Sequence, residues 1–232
     1  MNQGPLVFVG TFFALAATWF TFVLEPSQQI GNQSQFLIED SGQLFPVKPA
    51  GLAHQGEAVY RANGCFYCHT MQVRPQGLGG DVARGWGARS GPVQSVSRDY
   101  LFAETTMLGS QRVGPDLTNI GLRQTNLVWH LQHLYDPSSL APGSTMPPYR
   151  FLFTKHTLKP GQKRSPDALP EDPKAPGVEV LPSDDAKALV AYLTGLHSDG
   201  VLYEAPAFYV KPVAKADKKA AVPVTPAPAP AK

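Results

Sequence analysis

The sequence predicts a mainly α protein in which one N-terminal transmembrane helix carries a helical domain. Residues 6–24 contain only apolar residues, Gly and Thr, as a membrane-spanning helix requires. Residues 183–193 place apolar side chains at helical spacing behind Ser183, a good N-cap. A Cys-x-x-Cys-His motif at Cys65, Cys68 and His69 directly follows a third, shorter helical segment. The 232 residues leave room for one domain plus appendages.

The composition argues against nucleic acid as a partner. The 20 basic and 18 acidic residues give a net charge of +2, and no basic stripe interleaved with aromatic residues occurs. Only two cysteines are present, too few for the disulfide framework of a small secreted domain. Cys65 and Cys68 must therefore act locally.

Residues 1–25 are predicted to be a retained signal anchor. As a helix, residues 6–24 span roughly 28 Å, enough to cross the hydrocarbon core of a bilayer. A cleaved signal peptide is the alternative, but the run is longer than a usual signal core and no basic residue precedes it. No Lys or Arg occurs before Lys48, so charge alone says little about orientation.

Beyond the anchor, short helical segments alternate with loops. Residues 26–50, rich in Gln, Ser and Gly, are predicted to be a tether, and glycines make residues 75–91 a loop. Helices are predicted at residues 51–62, where Gly56 and Tyr60 lie four apart on one face, at residues 99–108, and at residues 126–135, where Asp136 and Pro137 follow as breakers. Gly64 is suited to ending the first of them.

Two segments are predicted to lie outside the core. Residues 155–182 carry many Pro and charged residues, which indicates a surface insertion that adds no core. Residues 204–232 are predicted to be a disordered C-terminal tail, because Lys, Pro and Ala dominate it and leave too little apolar surface to fold.

The segment Cys65-Phe66-Tyr67-Cys68-His69 has the form of the c-type haem attachment motif. In that motif each thiol adds to a vinyl group of haem, and the following His lies under the iron. A redox dithiol would need a βαβ setting that this pattern lacks, and a zinc site would need further ligands. We therefore expect one covalent haem c on Cys65, Cys68 and His69.

This motif also indicates the compartment. Haem is attached to Cys-x-x-Cys-His on the outer side of energy-transducing membranes. The domain after Leu24 is therefore expected on the periplasmic side of a bacterial cytoplasmic membrane, held there by a single membrane pass.

Methionine is the favoured second axial ligand of a haem that transfers electrons. Met71 lies two residues from His69, too close to reach the opposite face of the iron. Met107 has apolar neighbours that suit packing. Met146 precedes two prolines that stiffen its loop, so we expect Met146 to be the iron ligand and to raise the reduction potential.

Two other pairs of residues have binding capacity. His130 and His133 lie three apart on a predicted helix, a spacing that could hold a metal ion, although packed or hydrogen-bonded histidines are the commoner case. Arg74 and Arg112 could neutralise haem carboxylates or belong to a docking surface, because guanidinium groups bind carboxylates well.

Four motifs in this order make residues 51–153 resemble the mono-haem subunit, subunit II, of C-family (cbb3-type) cytochrome c oxidases. These are the haem motif followed by Thr70-Met71-Gln72-Val73-Arg74-Pro75, then Gly109-Ser110-Gln111-Arg112-Val113-Gly114-Pro115-Asp116-Leu117, Trp129-His130-Leu131-Gln132-His133-Leu134 and Met146-Pro147-Pro148-Tyr149.

The resemblance implies a class I cytochrome c-like domain over residues 51–203. Its terminal helices would cross around Gly56, Tyr60 and Tyr192, with Pro115 packed on the His69 side. It also implies a role without catalysis in this chain alone. The subunit would pass electrons from other c-type cytochrome subunits, or a soluble cytochrome c, to the haem–copper catalytic subunit, against which its anchor packs.

The sequence departs from the family pattern in two places. Met71-Gln72 replaces the more usual Gln-Met, and Gly-Trp-Gly-Ala-Arg-Ser at residues 85–90 replaces Tyr-Gly-x-Tyr-Ser. The alternatives are a free membrane-tethered electron shuttle, a haem sensor that binds gas, and the cytochrome c subunit of a nitric oxide reductase. The stretches at residues 73–75 and 129–130 argue against the last.

Overall fold

The computed structural model describes residues 2–38, 42–49, 51–75, 77–87, 94–172 and 175–198. Seven α-helices and two short antiparallel hairpins occur in these ranges. The C-terminal tail predicted at residues 204–232 lies outside them, as do residues 199–203.

The N-terminal helix is longer than the apolar run that predicts it. It extends over Gly4–Gly31, 28 residues, with a mean hydropathy of 2.0 in its most apolar window, so it is long and apolar enough to cross a membrane. It consists of α1 (Gly4–Trp19), a π-helical turn (Phe20–Leu24) and α2 (Glu25–Gly31). The π-turn ends two residues before Pro26, which has no backbone N–H to continue an α-helical ladder.

The predicted tether contains regular structure. Strand β1 (Phe36–Ile38) pairs with β2 (Gln43–Phe45) in an antiparallel hairpin, with Phe36 opposite Phe45. Phe45 is buried, and the peptide bond from Phe45 to Pro46 is cis. The hairpin therefore ends on the domain, not in solvent.

The core is built around the crossing of α3 (Leu52–Ala62) and α7 (Asp184–Gly195). The two backbones meet at Gly56, where an added Cβ would lie 1.9 Å from the Ala188 carbonyl oxygen. Beside this contact the rings of Tyr60 and Tyr192 pack with their centroids 5.5 Å apart. The helix crossing that the family resemblance implies is present.

The helix ends follow from local sequence. The Ser183 hydroxyl accepts a hydrogen bond from the Ala186 amide at 3.2 Å, as predicted for an N-cap, and Leu189, Val190 and Leu193 are buried. Asn126 caps α5 (Leu127–Tyr135), which confirms the helix predicted there. Two short helices flank α5, namely α4 (Ile120–Arg123) and α6 (Pro137–Leu140).

The prediction of a helix at residues 99–108 is wrong. A short 3-10 helix spans Ser97–Tyr100, and the chain after it is not helical. The Asp99 carboxylate accepts a hydrogen bond from the Val96 amide at 2.8 Å, so this residue caps a turn.

The prediction that residues 155–182 add no core is also wrong. Strand β3 (Phe153–Thr157) pairs with β4 (Val178–Pro182), and Leu169 between them belongs to the core cluster. The buried Glu179 carboxylate accepts hydrogen bonds from the Ser165 amide and hydroxyl, at 2.8 and 3.1 Å. Polar side chains in this segment satisfy one another's hydrogen bonds and so can be buried. For this reason the polar sequence does not reveal that the segment packs on the core.

Gly56→Ala should destabilise the domain by about 3 kcal/mol, because α3 and α7 must separate to admit the methyl group. Urea unfolding in mild detergent, followed by circular dichroism, measures this loss. Gly195→Ala is the matched control on α7: an added Cβ there meets nothing within 4 Å, so stability should stay within about 0.5 kcal/mol of the unchanged chain. Equal effects of the two changes would refute the close helix contact.

Candidate haem site

The Cys-x-x-Cys-His motif follows the C-terminal end of α3 on a left-handed glycine. Gly64, at φ 65°, reverses the chain, and a 3-10 turn spans Cys65–Tyr67. The His69 amide donates to the Cys65 carbonyl at 3.0 Å, so both sulfur atoms and the imidazole come from one turn. Cys65 is half-buried and Cys68 is exposed.

The His69 ring is held in a fixed orientation. Its Nδ1 lies 2.8 Å from the Pro115 carbonyl oxygen. A carbonyl can only accept, so Nδ1 carries the proton and Nε2 keeps its lone pair for a metal ion. Burial lowers the pKa of His69 and outweighs the hydrogen bond to Pro115, which acts in the opposite direction. The lowered pKa favours the neutral ring that a metal ligand needs.

A glycine-containing segment covers the motif. The Gly114 amide donates to the Cys68 carbonyl at 2.9 Å, and the Leu117 amide donates to the Thr70 carbonyl at 2.8 Å. An added Cβ on Gly114 would lie 2.2 Å from His69 Cε1. Only glycine lets the backbone approach the ring this closely.

Asp116 joins this segment to the residues after the motif. Its buried carboxylate accepts hydrogen bonds from the Thr70 hydroxyl at 2.6 Å, from the Gln72 amide at 2.8 Å and from the Thr118 amide at 2.9 Å. Because Pro115 immediately precedes Asp116, these bonds also hold the carbonyl that orients His69.

A second buried carboxylate, Asp81, binds two arginines. Arg74 Nη2 and Arg112 Nη1 lie 2.8 and 2.7 Å from Asp81 Oδ1. Burial would raise the pKa of Asp81, but the hydrogen bonds from both guanidinium groups hold it at about 2. Asp81 therefore compensates the charge of both arginines, which the sequence left as candidates for haem carboxylates or docking. Sequence reasoning missed Asp81, which stands in a glycine-rich loop with no regular pattern.

Met146 lies in a segment that the fold brings to the motif. Its side chain is half-buried against the core cluster. Three residues on, the Tyr149 amide donates to the Leu134 carbonyl at 2.8 Å. Tyr149 and Cys65 pack against the same core cluster as Met146. Burial raises the pKa of the Cys65 thiol to about 11.

The other two candidate methionines are core residues. Met71 is buried, and its sulfur accepts a hydrogen bond from the Tyr192 hydroxyl at 3.6 Å. Met107 is buried and lines a cavity between the tether and the α3–α7 pair, which none of Cys65, His69 and Met146 lines.

The two histidines of α5 lie in different environments. His130 is buried, and its Nε2 hydrogen-bonds to the Gln124 carbonyl at 2.8 Å. His133 stacks on Trp129 with ring centroids 4.7 Å apart. Within the described ranges, no group of three or more His, Cys, Asp or Glu side chains could hold a metal ion.

A protein-family model described as "Cytochrome C oxidase, mono-heme subunit/FixO" matches residues 36–169, which is 134 of 232 residues and more than half of the chain. The chain belongs to this family. Its members are the mono-haem subunits that the sequence motifs resemble, the subunit II of cbb3-type oxidases, so that resemblance is confirmed. A search of curated proteins found no match.

Membership of the mono-heme subunit/FixO family gives the chain a place in a cytochrome c oxidase complex. The matched residues contain the whole Cys-x-x-Cys-His motif together with Asp81, Asp116 and Met146. The match begins after the N-terminal helix, so the evidence for a membrane anchor is the length and apolar composition of that helix.

Asp81→Asn should destabilise the protein by about 3–5 kcal/mol at pH 7, because two partly buried arginines lose their shared counter-charge. The pKa of Asp81 is lowered in the folded state, so its contribution is present above the usual value of 3.8 and disappears as the pH falls towards 2. Asp81→Asn should therefore lack this part of the acid dependence. Urea unfolding at several pH values measures both effects.

The matched control is the exposed ion pair between Lys187 and Asp167, with Nζ 2.6 Å from Oδ2. Asp167→Asn should cost less than about 1 kcal/mol, because exposed ion pairs contribute little. If the two substitutions have similar costs, Asp81 does not bind the arginines as described.

Proposed function

We propose that this chain is a single-pass, membrane-anchored c-type cytochrome that relays electrons to the haem–copper subunit of a cbb3-type cytochrome c oxidase. One observation carries the proposal. In a chain of the mono-heme subunit family, the fold packs Cys65 of the Cys-x-x-Cys-His motif, Met146 and Tyr149 against one and the same core cluster.

The residues at the site fit a covalently bound haem c. Cys65 and Cys68 would form the two thioether bonds, each thiol adding across one vinyl group of the haem. His69 would bind the iron through Nε2, which the Pro115 hydrogen bond leaves unprotonated, and the Met146 thioether would be the second protein ligand. Haem supplies an iron centre that gains and loses one electron.

The geometry also supports a class I cytochrome c-like fold for the domain. Its first and last described helices cross at Gly56, the haem motif follows the first helix, and the methionine loop precedes the last. The Pro115 carbonyl on the His69 side agrees with the same architecture.

The N-terminal helix supports a location at the bacterial cytoplasmic membrane. Covalent haem attachment to Cys-x-x-Cys-His occurs on the outer side of such membranes, so the domain would face the periplasm. The hairpin between helix and domain would keep the haem near the membrane, where a membrane-embedded partner could accept its electron.

The role of the chain is then electron transfer, with oxygen reduction carried out by another subunit. Electrons would arrive from other c-type cytochromes and leave to the haem–copper subunit. A thioether ligand favours the ferrous state and raises the reduction potential, which suits a late step of a respiratory chain.

Met146→Ala should abolish the high reduction potential and open the iron to carbon monoxide in the reduced protein, because the sixth ligand is lost. Redox titration and carbon monoxide difference spectra measure these changes. Met107→Leu is the control: it preserves core volume and should leave the potential unchanged. A high potential in Met146→Ala that is lost in Met107→Leu would transfer the ligand role to Met107.

Purification of the full chain from its native membranes in mild detergent tests the partner. We expect co-migration with a subunit that contains haem b and copper. Isolation of the chain alone would support a free membrane-tethered shuttle, and co-migration with a subunit that reduces nitric oxide would support the nitric oxide reductase alternative.

A further inference from the structure

A cavity of about 140 Å³ lies between the tether and the α3–α7 pair. Residues from the segment 45–49 of the tether form one wall, and residues from α3, from the segment 99–107 and from the end of α7 form the others. Neither the Cys-x-x-Cys-His motif nor Met146 is among the described residues that line it. An apolar cavity of about 150 Å³ is known to bind benzene, so this one has room for a single aromatic ring.

Aromatic rings and thioethers form much of the cavity wall. The lining includes Phe45, Tyr100 and Phe102 together with Met71 and Met107. Phe45 and both methionines are buried, so this part of the wall belongs to the packed interior. Rings pack edge-to-face or offset on other rings, and thioether sulfur atoms make favourable contacts with ring edges. The apolar part of the cavity is therefore suited to an aromatic ligand.

One carboxylate on α3 interrupts this apolar lining. Glu57 is 7% exposed, and its carboxylate forms no hydrogen bond with any residue in the described ranges. Burial raises the pKa of Glu57, and the nearby Glu104 carboxylate raises it further, against the opposite effects of His54 and Arg61. Because a buried carboxylate is costly unless it accepts a hydrogen bond, a ligand that donates one would be bound favourably here.

Two residues of the lining carry hydroxyl groups without partners. The Thr118 Oγ1 and Ser198 Oγ atoms are buried, and neither forms a hydrogen bond within the part of the chain that the structure describes. Ser198 is 6% exposed, and its amide donates to Asn119 Oδ1 at 2.7 Å, so the fold holds it in place. Buried side-chain polar atoms are nearly always hydrogen-bonded, so two such hydroxyl groups at one cavity indicate a polar group supplied by a ligand.

We propose that this cavity binds a small, uncharged aromatic alcohol, whose ring fills the apolar part and whose hydroxyl group bonds to the polar lining formed by Glu57, Thr118 and Ser198. A hydroxyl group fits this lining because it can donate to a carboxylate and accept from another hydroxyl. An ammonium group can only donate, and a ring without a polar group would leave the lining unsatisfied. Since the ligand would contact both tether and α7, its binding would also hold the tether against the domain.

The test follows the fluorine NMR signal of 4-fluorophenol as it is titrated with the full haem-loaded chain in nanodiscs of zwitterionic lipid. We expect saturable binding beyond the partition of this probe into nanodiscs without protein. Fluorobenzene, which has no hydroxyl group, should bind at least about tenfold more weakly, because the hydrogen bond to the polar lining is lost. The protonated amine of 4-fluorobenzylamine should also bind more weakly than the phenol.

Substitutions in the cavity wall test the location of the site. Ala103 lines the cavity, so Ala103→Leu should fill it and weaken 4-fluorophenol binding at least about tenfold. Ala58→Leu is the matched control, because Ala58 is exposed on α3, and it should leave binding within about twofold of the unchanged chain. Glu57→Gln keeps the shape of the side chain but removes its charge, so it should weaken binding several-fold. Circular dichroism confirms that each variant is folded.

Several results would overturn the proposed ligand site. Saturable binding of 4-fluorophenol could be absent, or a folded Ala103→Leu variant could bind it as well as the unchanged chain does. Equal binding of fluorobenzene would show that the polar lining plays no part, and tighter binding of 4-fluorobenzylamine would assign the cavity to a cation. Failure of the proposed function is separate, because the haem spectrum of the same samples reports it independently of the probe.

Discussion

The close approach of α3 and α7 at Gly56 is the constraint on which the rest of the domain depends. Without a side chain at this position, the two helices touch backbone to backbone, and Tyr60 and Tyr192 close the contact. Because Cys65 follows α3 by one turn, the crossing angle decides where the haem motif lies. The crossing therefore connects a packing requirement to the position of the functional groups.

Hydrogen bonds then fix the segment that orients His69. Asp116 and Asp81 are both fully buried, and buried carboxylates are costly unless they are paired and hydrogen-bonded. Here each of them accepts several bonds from residues 70–74 or from Arg112, so the cost is offset where the chain must be held. The two carboxylates join two segments that share no regular secondary structure. We therefore infer that their main role is to hold these segments in position, and not to add net stability.

The parts of the protein that the sequence predicts well are those specified by neighbouring residues. The cap at Ser183, the glycine after α3 and the spacing from Cys65 to His69 all act within a few residues. Contacts between residues that lie far apart in the sequence are not predicted. Asp81 binds Arg112 across 31 positions, and β3 pairs with β4 across an intervening loop rich in charge. Sequence patterns contain no signal for such pairs, and the polar residues of the insertion conceal the burial of Leu169.

The same distinction explains the two sets of arginines and lysines. Arg74 and Arg112 look available in the sequence, yet the fold pairs both of them with the buried carboxylate of Asp81. Arg150 and Lys155 are exposed, and both lie over the ring of Tyr135. Pairing within the fold, and not the position of a charge in the sequence, therefore separates the cations that hold the domain together from those that lie at its surface.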